Sequence, residues 1–247
     1  MLSIGVLADI HYGNSILDMK KLEKILVYLN HSCDYIVLLG DITNSGSIEE
    51  MMNIEIMLTN IVRKAKIVPI IGNHDCYKKN RLSKPDDSNF VRTFIDDIDA
   101  FGGDRYLLNY TFTNGEKRIM CLDFNSRSRL NGPRADIDED QLEWIDKILK
   151  KDNLRTYIFA HTPLHNPFER GWQSEVLPKL PTLGLADFTL KEYNRVCEVL
   201  KPHSKKITFW MAGHGHVDKE KHDKNAGIEV IELSSFFKQD KYKIIIL

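Results

Sequence analysis

The sequence lacks any close cysteine pair: Cys33, Cys76, Cys121 and Cys197 are far apart, with no Cys-x-x-Cys spacing. That excludes a zinc knuckle and a disulfide-dense framework, and isolated thiols suit a reducing compartment. No uninterrupted apolar run approaches the roughly 18 residues a membrane span needs, and the first residues form a strand-like segment from Leu2 with no basic-then-apolar leader. The chain is therefore expected to be soluble and cytoplasmic, with no membrane partner. An excess of one charge is also missing, since 34 Lys and Arg against 35 Asp and Glu give a net charge of -1. Nothing in that balance draws a polyanion, so nucleic acid is disfavoured as a partner. No repeat, low-complexity tract or linker divides the 247 residues, and a single domain over 1–247 is expected. Its 43% hydrophobic content is enough for a sizeable core. Oligomeric state leaves no mark.

What is present is an alternation of strand and helix patterns. Leu2 to Ala8 reads as a strand, and Ser15 caps a helix with Ile16, Leu22, Ile25, Leu26 and Leu29 on one face, ending near Asn30. The strand Tyr35 to Leu39 follows, then Ser47-Ile48-Glu49-Glu50, a capping box opening a helix with Ile54, Leu58, Ile61 and Val62 inward, then the strand Lys66 to Ile71. Such a βαβαβ opening implies parallel strands with right-handed crossovers. After a polar loop comes a helix from Ser88 to Phe101, stopped at Gly102-Gly103. Tyr106 to Thr113 and Lys117 to Leu122 are strands joined by Asn114-Gly115, a hairpin signal that adds antiparallel pairing.

A further capping box at Asp138-Glu139-Asp140-Gln141 leads into a helix with Leu142, Ile145, Ile148 and Leu149, then the strand Arg155 to Ala160. Residues 162–187 hold four of the eight prolines, Pro163, Pro167, Pro178 and Pro181, and read as a long loop or lid. Thr189 starts a last helix ending before Pro202, and three strand-like runs close the chain: Ile207 to Ala212, Ile228 to Leu233 and Tyr242 to Leu247. The fold class is α/β with mixed sheets.

Polar clusters follow five of these strands: Asp9-Ile10-His11, Gly40-Asp41, Gly72-Asn73-His74-Asp75, His161, and Gly213-His214-Gly215-His216. Strand C-terminal ends are where α/β proteins build sites. Asp9, His11, Asp41, Asn73, His161, His214 and His216 supply oxygen and nitrogen donors and no thiolate, which suits Mn, Fe, Zn or Co. Seven donors are too many for one catalytic ion with an open position, so two ions are expected. With Asp41 bridging, each ion receives four protein contacts, at a separation of about 3.5–4 Å.

These five motifs, in this order over residues 9–216, resemble those of the calcineurin-like metallophosphoesterases. The resemblance implies two packed mixed β-sheets flanked by helices, and a phosphoric ester hydrolase acting on a small phosphodiester or phosphomonoester. It also implies two divalent or mixed-valence ions, drawn from Mn, Fe or Zn. Asp9, His11, Asp41 and His216 would hold the first ion; Asp41, Asn73, His161 and His214 would hold the second. His74 would contact the phosphate and protonate the leaving oxygen, after in-line attack by a metal-bridging hydroxide. Asp75 would stand behind the ligands. One departure is Asn44, three residues after Asp41, where many members carry an acid paired with the His74 equivalent; its amide is expected to orient the imidazole without stabilising its charged form.

His31, His203 and His222 fit no cluster and are expected at the surface, and His165 is expected at the surface or packing its loop rather than facing substrate. The basic stretch 78–84 reads as solvated loop charge, offset by Asp86 and Asp87. Arg127, Arg129, Arg134, Phe168 and Trp172 read as ordinary loop residues. A nuclease is the alternative enzyme, but it needs a longer basic and aromatic track. A non-catalytic metal-bound scaffold is the other alternative, typically reached by losing motif residues that are all kept in this chain.

Overall fold

Three short runs without a charged interior residue become parallel strands: β1 (Ser3–Leu7), β2 (Tyr35–Leu39) and β3 (Lys66–Ile70). The structure, a computed structural model, describes residues 1–77, 84–125, 135–166 and 188–247. Helices α1 (Met19–Ser32) and α2 (Ile48–Ile61) cross between these strands. The sheet order is β11-β1-β2-β3, where β11 (Lys243–Ile246) returns antiparallel along β1 with Ser3 opposite Ile246.

The second sheet has seven strands in the order β4-β5-β6-β7-β8-β10-β9. They are β4 (Arg105–Tyr106), β5 (Asn109–Asn114), β6 (Lys117–Leu122), β7 (Arg155–Ala160), β8 (Ile207–Ala212), β9 (Lys219–Asp223) and β10 (Ile228–Glu232). From β6 to β10 the neighbours run parallel, and both ends of the sheet turn antiparallel.

Why β7 and β8 are apolar at nearly every position follows from what lies on each face. Tyr157, Phe159, Phe209 and Met211 share one core with β1, β2 and β3, so this face meets the first sheet. Their neighbours Ile158, Ala160, Trp210 and Ala212 point the other way, into a second core with α4 (Glu139–Lys150) and α5 (Leu190–Leu200). Period-two alternation with both faces covered gives an unbroken apolar run. Trp210 is fully buried, stacked on Phe124 at 5.5 Å between ring centres, and its indole N–H donates to the Thr162 carbonyl.

Several boundaries differ from the sequence expectation. Helix α1 begins at Met19 with Asp18, not Ser15, as its cap, because the Asn14 carboxamide accepts the Ile16 N–H and holds that stretch in a turn; Ile16 is left exposed. The Ser47 box at the start of α2 is half formed: Ser47 accepts from Glu50 N–H, but the Glu50 carboxylate takes Ser45 instead. At α5 the Thr189 box is complete. The run from Tyr106 is broken by a reversal at Leu107, φ 53°, so that Tyr106 pairs with Asn109. Asn114 closes the β5–β6 ladder against Lys117 rather than sitting in the turn. Helix α3 spans Ser88–Asp99 and stops before Phe101.

Two elements were unforeseen. Strand β9, Lys-Glu-Lys-His-Asp, is an exposed edge whose charge hides its strand character. A one-turn helix, α6 (Phe236–Gln239), lies before β11 and buries Phe236 and Phe237. No helix among the described residues is long and apolar enough to cross a membrane.

All four cysteines are buried thiols, and burial pushes the Cys121 and Cys197 thiols up to about 12. Thiolate is the reactive form, so these groups are protected twice. Titration with a thiol-specific disulfide reagent is expected to find no fast-reacting group in the folded protein and all four after unfolding in guanidinium.

Candidate metal centre

Strands β1, β2 and β3 end at one rim of the first sheet, and β7 and β8 end at the facing rim of the second. The loops that leave them are laced together by backbone bonds: Asp9 N–H to Gly40 O, His11 N–H to Asp41 O, and Gly213 N–H to His161 O. At the rim a side-chain bond ties the second sheet to the first, from His161 Nδ1–H to the Leu39 carbonyl at 3.0 Å. Gly40 sits at that crossing with φ 78°, and a Cβ there would meet the His161 ring at 2.4 Å. Only glycine fits both conditions.

All seven sequence-predicted donors arrive at this rim. Asp9, His11 and His216 form one group, and Asp41, His161 and His214 another, with donor atoms in each within 4.8 Å of one another. Asn73 joins the second, its Oδ1 3.2 Å from His161 Nε2. Asp41 lies between the groups, with Oδ1 3.3 Å from His161 Nε2 and Oδ2 3.6 Å from His11 Nε2. His11 and Asp41 also form a third close set with His74.

Five of the seven, Asp9, His11, Asp41, His214 and His216, have left-handed backbone, with φ between 48° and 68°. Non-glycine residues in such regions cost on the order of 1–3 kcal/mol each and gather where a site over-determines them. This concentration of strain was not legible in the sequence, because none of the five is glycine.

The hydrogen bonding of the donors asks for cations. His161 gives its Nδ1 proton to Leu39, which leaves Nε2 facing Asn73 Oδ1, Asp41 Oδ1 and His214 Nδ1, the last at 3.1 Å. Two oxygens and two ring nitrogens thus converge within hydrogen-bond distance, a donor set suited to a cation. His11 is buried, and neither of its ring nitrogens has a hydrogen-bond partner among the described residues. Oxygen and imidazole donors without a thiolate fit divalent ions of the Mn, Fe and Zn type.

Electrostatics match that reading. Burial pushes His11 down to about 4 against the pull of Asp41, so its lone pair is free at neutral pH. Burial would also lower His161, but the Asp41 carboxylate carries it up to about 10, so a proton on its Nε2 supplies the positive charge that a bound cation would replace. Burial would raise Asp41, but the charge and hydrogen bond of His161 together with the charges of His74 and His11 hold it well below the carboxylate range, whereas burial raises Asp9.

His74 and Asp75 flank the donors differently. Asp75 is buried and accepts from Gly72 N–H, Ile42 N–H, Thr43 N–H and the Thr43 hydroxyl, strapping the loop after β3 to the loop after β2. His74 is exposed, its N–H donates to Asp41 Oδ1 at 2.7 Å, and its ring meets His11 edge to face. Its Nδ1–H donates to the backbone carbonyl of Asn44 at 2.6 Å, which leaves Nε2 as the uncommitted ring nitrogen. This corrects the expected amide contact: the Asn44 side chain turns away and accepts from Asn14.

His165 is likewise neither at the surface nor merely packing a loop. It is buried, with Nε2 2.7 Å from Glu232, whose carboxylate lies against Gly215 in the space a Cβ would take. His203 is half-buried against Asp146, while His31 and His222 are exposed as expected. Sequence reasoning missed Phe237, whose ring lies 4.5 Å from that of His11 and 5.5 Å from that of His216. No motif surrounds it, and a double phenylalanine reads only as core. The basic stretch 78–83, Arg127, Arg129, Arg134, Phe168, Trp172 and residues 167–187 of the expected lid lie outside the described residues.

A family model described as calcineurin-like phosphoesterase matches residues 2–218. Among solved structures, a dimetal phosphatase from Danio rerio is 17% identical, with a TM-score of 0.69 over 96% of this chain and 88% of that one. The phosphopantetheinyl hydrolase of Mycobacterium tuberculosis is 14% identical at a TM-score of 0.53, over 99% and 95% of the two chains. A purple acid phosphatase from yellow lupin seeds gives 14% and 0.55, over 89% of this chain and 38% of that one. At these identities the likeness is one of fold. No curated protein matches the chain.

Two substitutions separate what the backbone holds from what side chains hold. Asn44→Ala keeps the carbonyl under His74 and is expected to change phosphoester turnover by less than about threefold. Gly40→Ala drives a methyl group into the His161 ring and is expected to lower bound metal and turnover by about tenfold or more; elemental analysis beside a hydrolysis assay checks both.

Proposed function

The chain belongs to the calcineurin-like phosphoesterase family, and from that premise we propose that its rim holds two metal ions and hydrolyses a small phosphomonoester or phosphodiester. The observation that carries this reading is the placement of Asp41, one oxygen toward His161 and the other toward His11. A carboxylate with a histidine group on each side is the bridge that a two-ion centre requires.

Asp9, His11, Asp41 and His216 would hold one ion, and Asp41, Asn73, His161 and His214 the other. When bound, such a pair generates a nucleophile from water near neutral pH and neutralises charge on the phosphoryl oxygens. The protein's own work is to fix the donors, to orient the ester and to handle the leaving-group proton. His74 is placed for the last task. With Nδ1–H committed to the Asn44 carbonyl, only Nε2 can carry a proton toward a leaving oxygen, and the ring cannot turn without losing that bond. A carbonyl supports the N–H without bringing a counter-charge, so ester leaving groups that need little protonation are favoured. Manganese, iron and zinc are the metals this donor chemistry suits. Four buried thiols suit the reducing cytoplasm as its place of work.

Hydrolysis of bis(p-nitrophenyl) phosphate and p-nitrophenyl phosphate with added Mn²⁺ tests the proposal. Turnover of one or both esters is expected, with a fall of about a hundredfold or more in Asp41→Ala. A protein that holds two metals per chain yet turns over neither ester would count against a general phosphoesterase.

A further inference from the structure

The family match ends at residue 218, yet the chain brings one more charged side chain to the same rim from beyond it. Helix α6 is pinned beside the first donor group by two backbone bonds, Phe236 N–H to Ala8 O at 2.8 Å and Phe237 N–H to Asp9 O at 3.3 Å. Phe237 fills the space against His11 and His216. Lys238, the next residue, is exposed, with its ammonium 5.3 Å from the centre of the Phe237 ring and 3.2 Å from His216 Nδ1.

Nearby carboxylates are engaged elsewhere. Asp240 is taken by Lys21, and Asp218 by Lys241 and by the Ser234 N–H and hydroxyl. Lys238 forms no ion pair among the described residues. An ammonium without a counter-ion, resting on an aromatic face and a histidine at the edge of an anion-handling centre, is available to a ligand oxygen.

Charge decides which ligand gains most from it. A phosphomonoester carries between one and two negative charges at neutral pH, and a diester carries one. Added attraction from one more cation scales with the ligand's charge. Resting on the reading of this rim as a two-metal phosphoesterase site, we propose that Lys238 is a substrate-contacting, specificity-determining residue that binds a non-bridging oxygen of a dianionic phosphoryl group and biases the site toward phosphomonoesters. Its hold on His216 is a resting contact, because an anionic phosphoryl oxygen is a stronger acceptor than an imidazole nitrogen.

Mn²⁺-loaded wild type, Lys238→Ala and Lys238→Arg are compared by kcat/KM on p-nitrophenyl phosphate and its bis ester, by calorimetric binding of inorganic phosphate, and by metal content. Lys238→Ala is expected to lose about tenfold or more on the monoester and about threefold or less on the diester, and to weaken phosphate binding about tenfold. Metal content stays at the wild-type value, and Lys238→Arg recovers most of both losses. Equal losses on the two esters, or lost metal, would mean that Lys238 only braces His216 and would overturn the proposal. So would unchanged kinetics and phosphate binding. If the wild type hydrolyses neither ester, the phosphoesterase reading fails by itself, and phosphate binding still decides the role of Lys238.

Discussion

Donor atoms with lone pairs repel one another, and this fold spends much of its architecture on holding such atoms together. The convergence around Asp41, with His161 Nε2 on one side and His11 Nε2 on the other, is stable only with positive charge among the donors. The rest of the rim reads as a means to that end. Five donor residues sit in left-handed backbone, Gly40 makes room for the His161 ring, and Asp75 takes four donors to lock one loop to the next. Strain of this kind persists only where the surroundings impose it.

What imposes it is the pairing of the two sheets. The strands of the first sheet deliver Asp9, His11, Asp41 and Asn73, and those of the second deliver His161, His214 and His216. Neither sheet alone carries a complete donor set. The apolar interface between them, with Phe159, Phe209 and Met211 against β1 to β3, therefore sets the spacing of the site as well as the stability of the fold. The buried bond from His161 to Leu39 carries that spacing into the donors themselves, in the way an outer contact fixes a ligating histidine. Membership of the calcineurin-like phosphoesterases agrees with this layout.

Much of this was legible in the residues, for a physical reason: strand ends and metal donors both leave local marks. Apolar runs closed by Asp, Asn or His placed β1, β2, β3, β7 and β8 and the donors after them. Strand β9 was not legible, because an edge strand with solvent on it needs no apolar period and Lys219 to Asp223 has none. The start of α1 was misplaced because Asn14 competes with Ser15 for the local backbone. At His74 the expected partner was a side chain, and the actual one is the Asn44 carbonyl, which any residue at that position would supply. Phe237 and Lys238 were invisible for a different reason. Their place at the rim comes from a docking of α6 onto Ala8 and Asp9 across more than two hundred residues of sequence, and no motif records it.

The central claim is that Asp41 bridges two ions. Anomalous diffraction at the manganese edge from Mn²⁺-soaked crystals tests it most directly. The account predicts two peaks about 3.5–4 Å apart, one bordered by Asp9, His11 and His216, the other by Asn73, His161 and His214, with Asp41 between them. A single peak, or two peaks that leave Asp41 without contact to one of them, would contradict it.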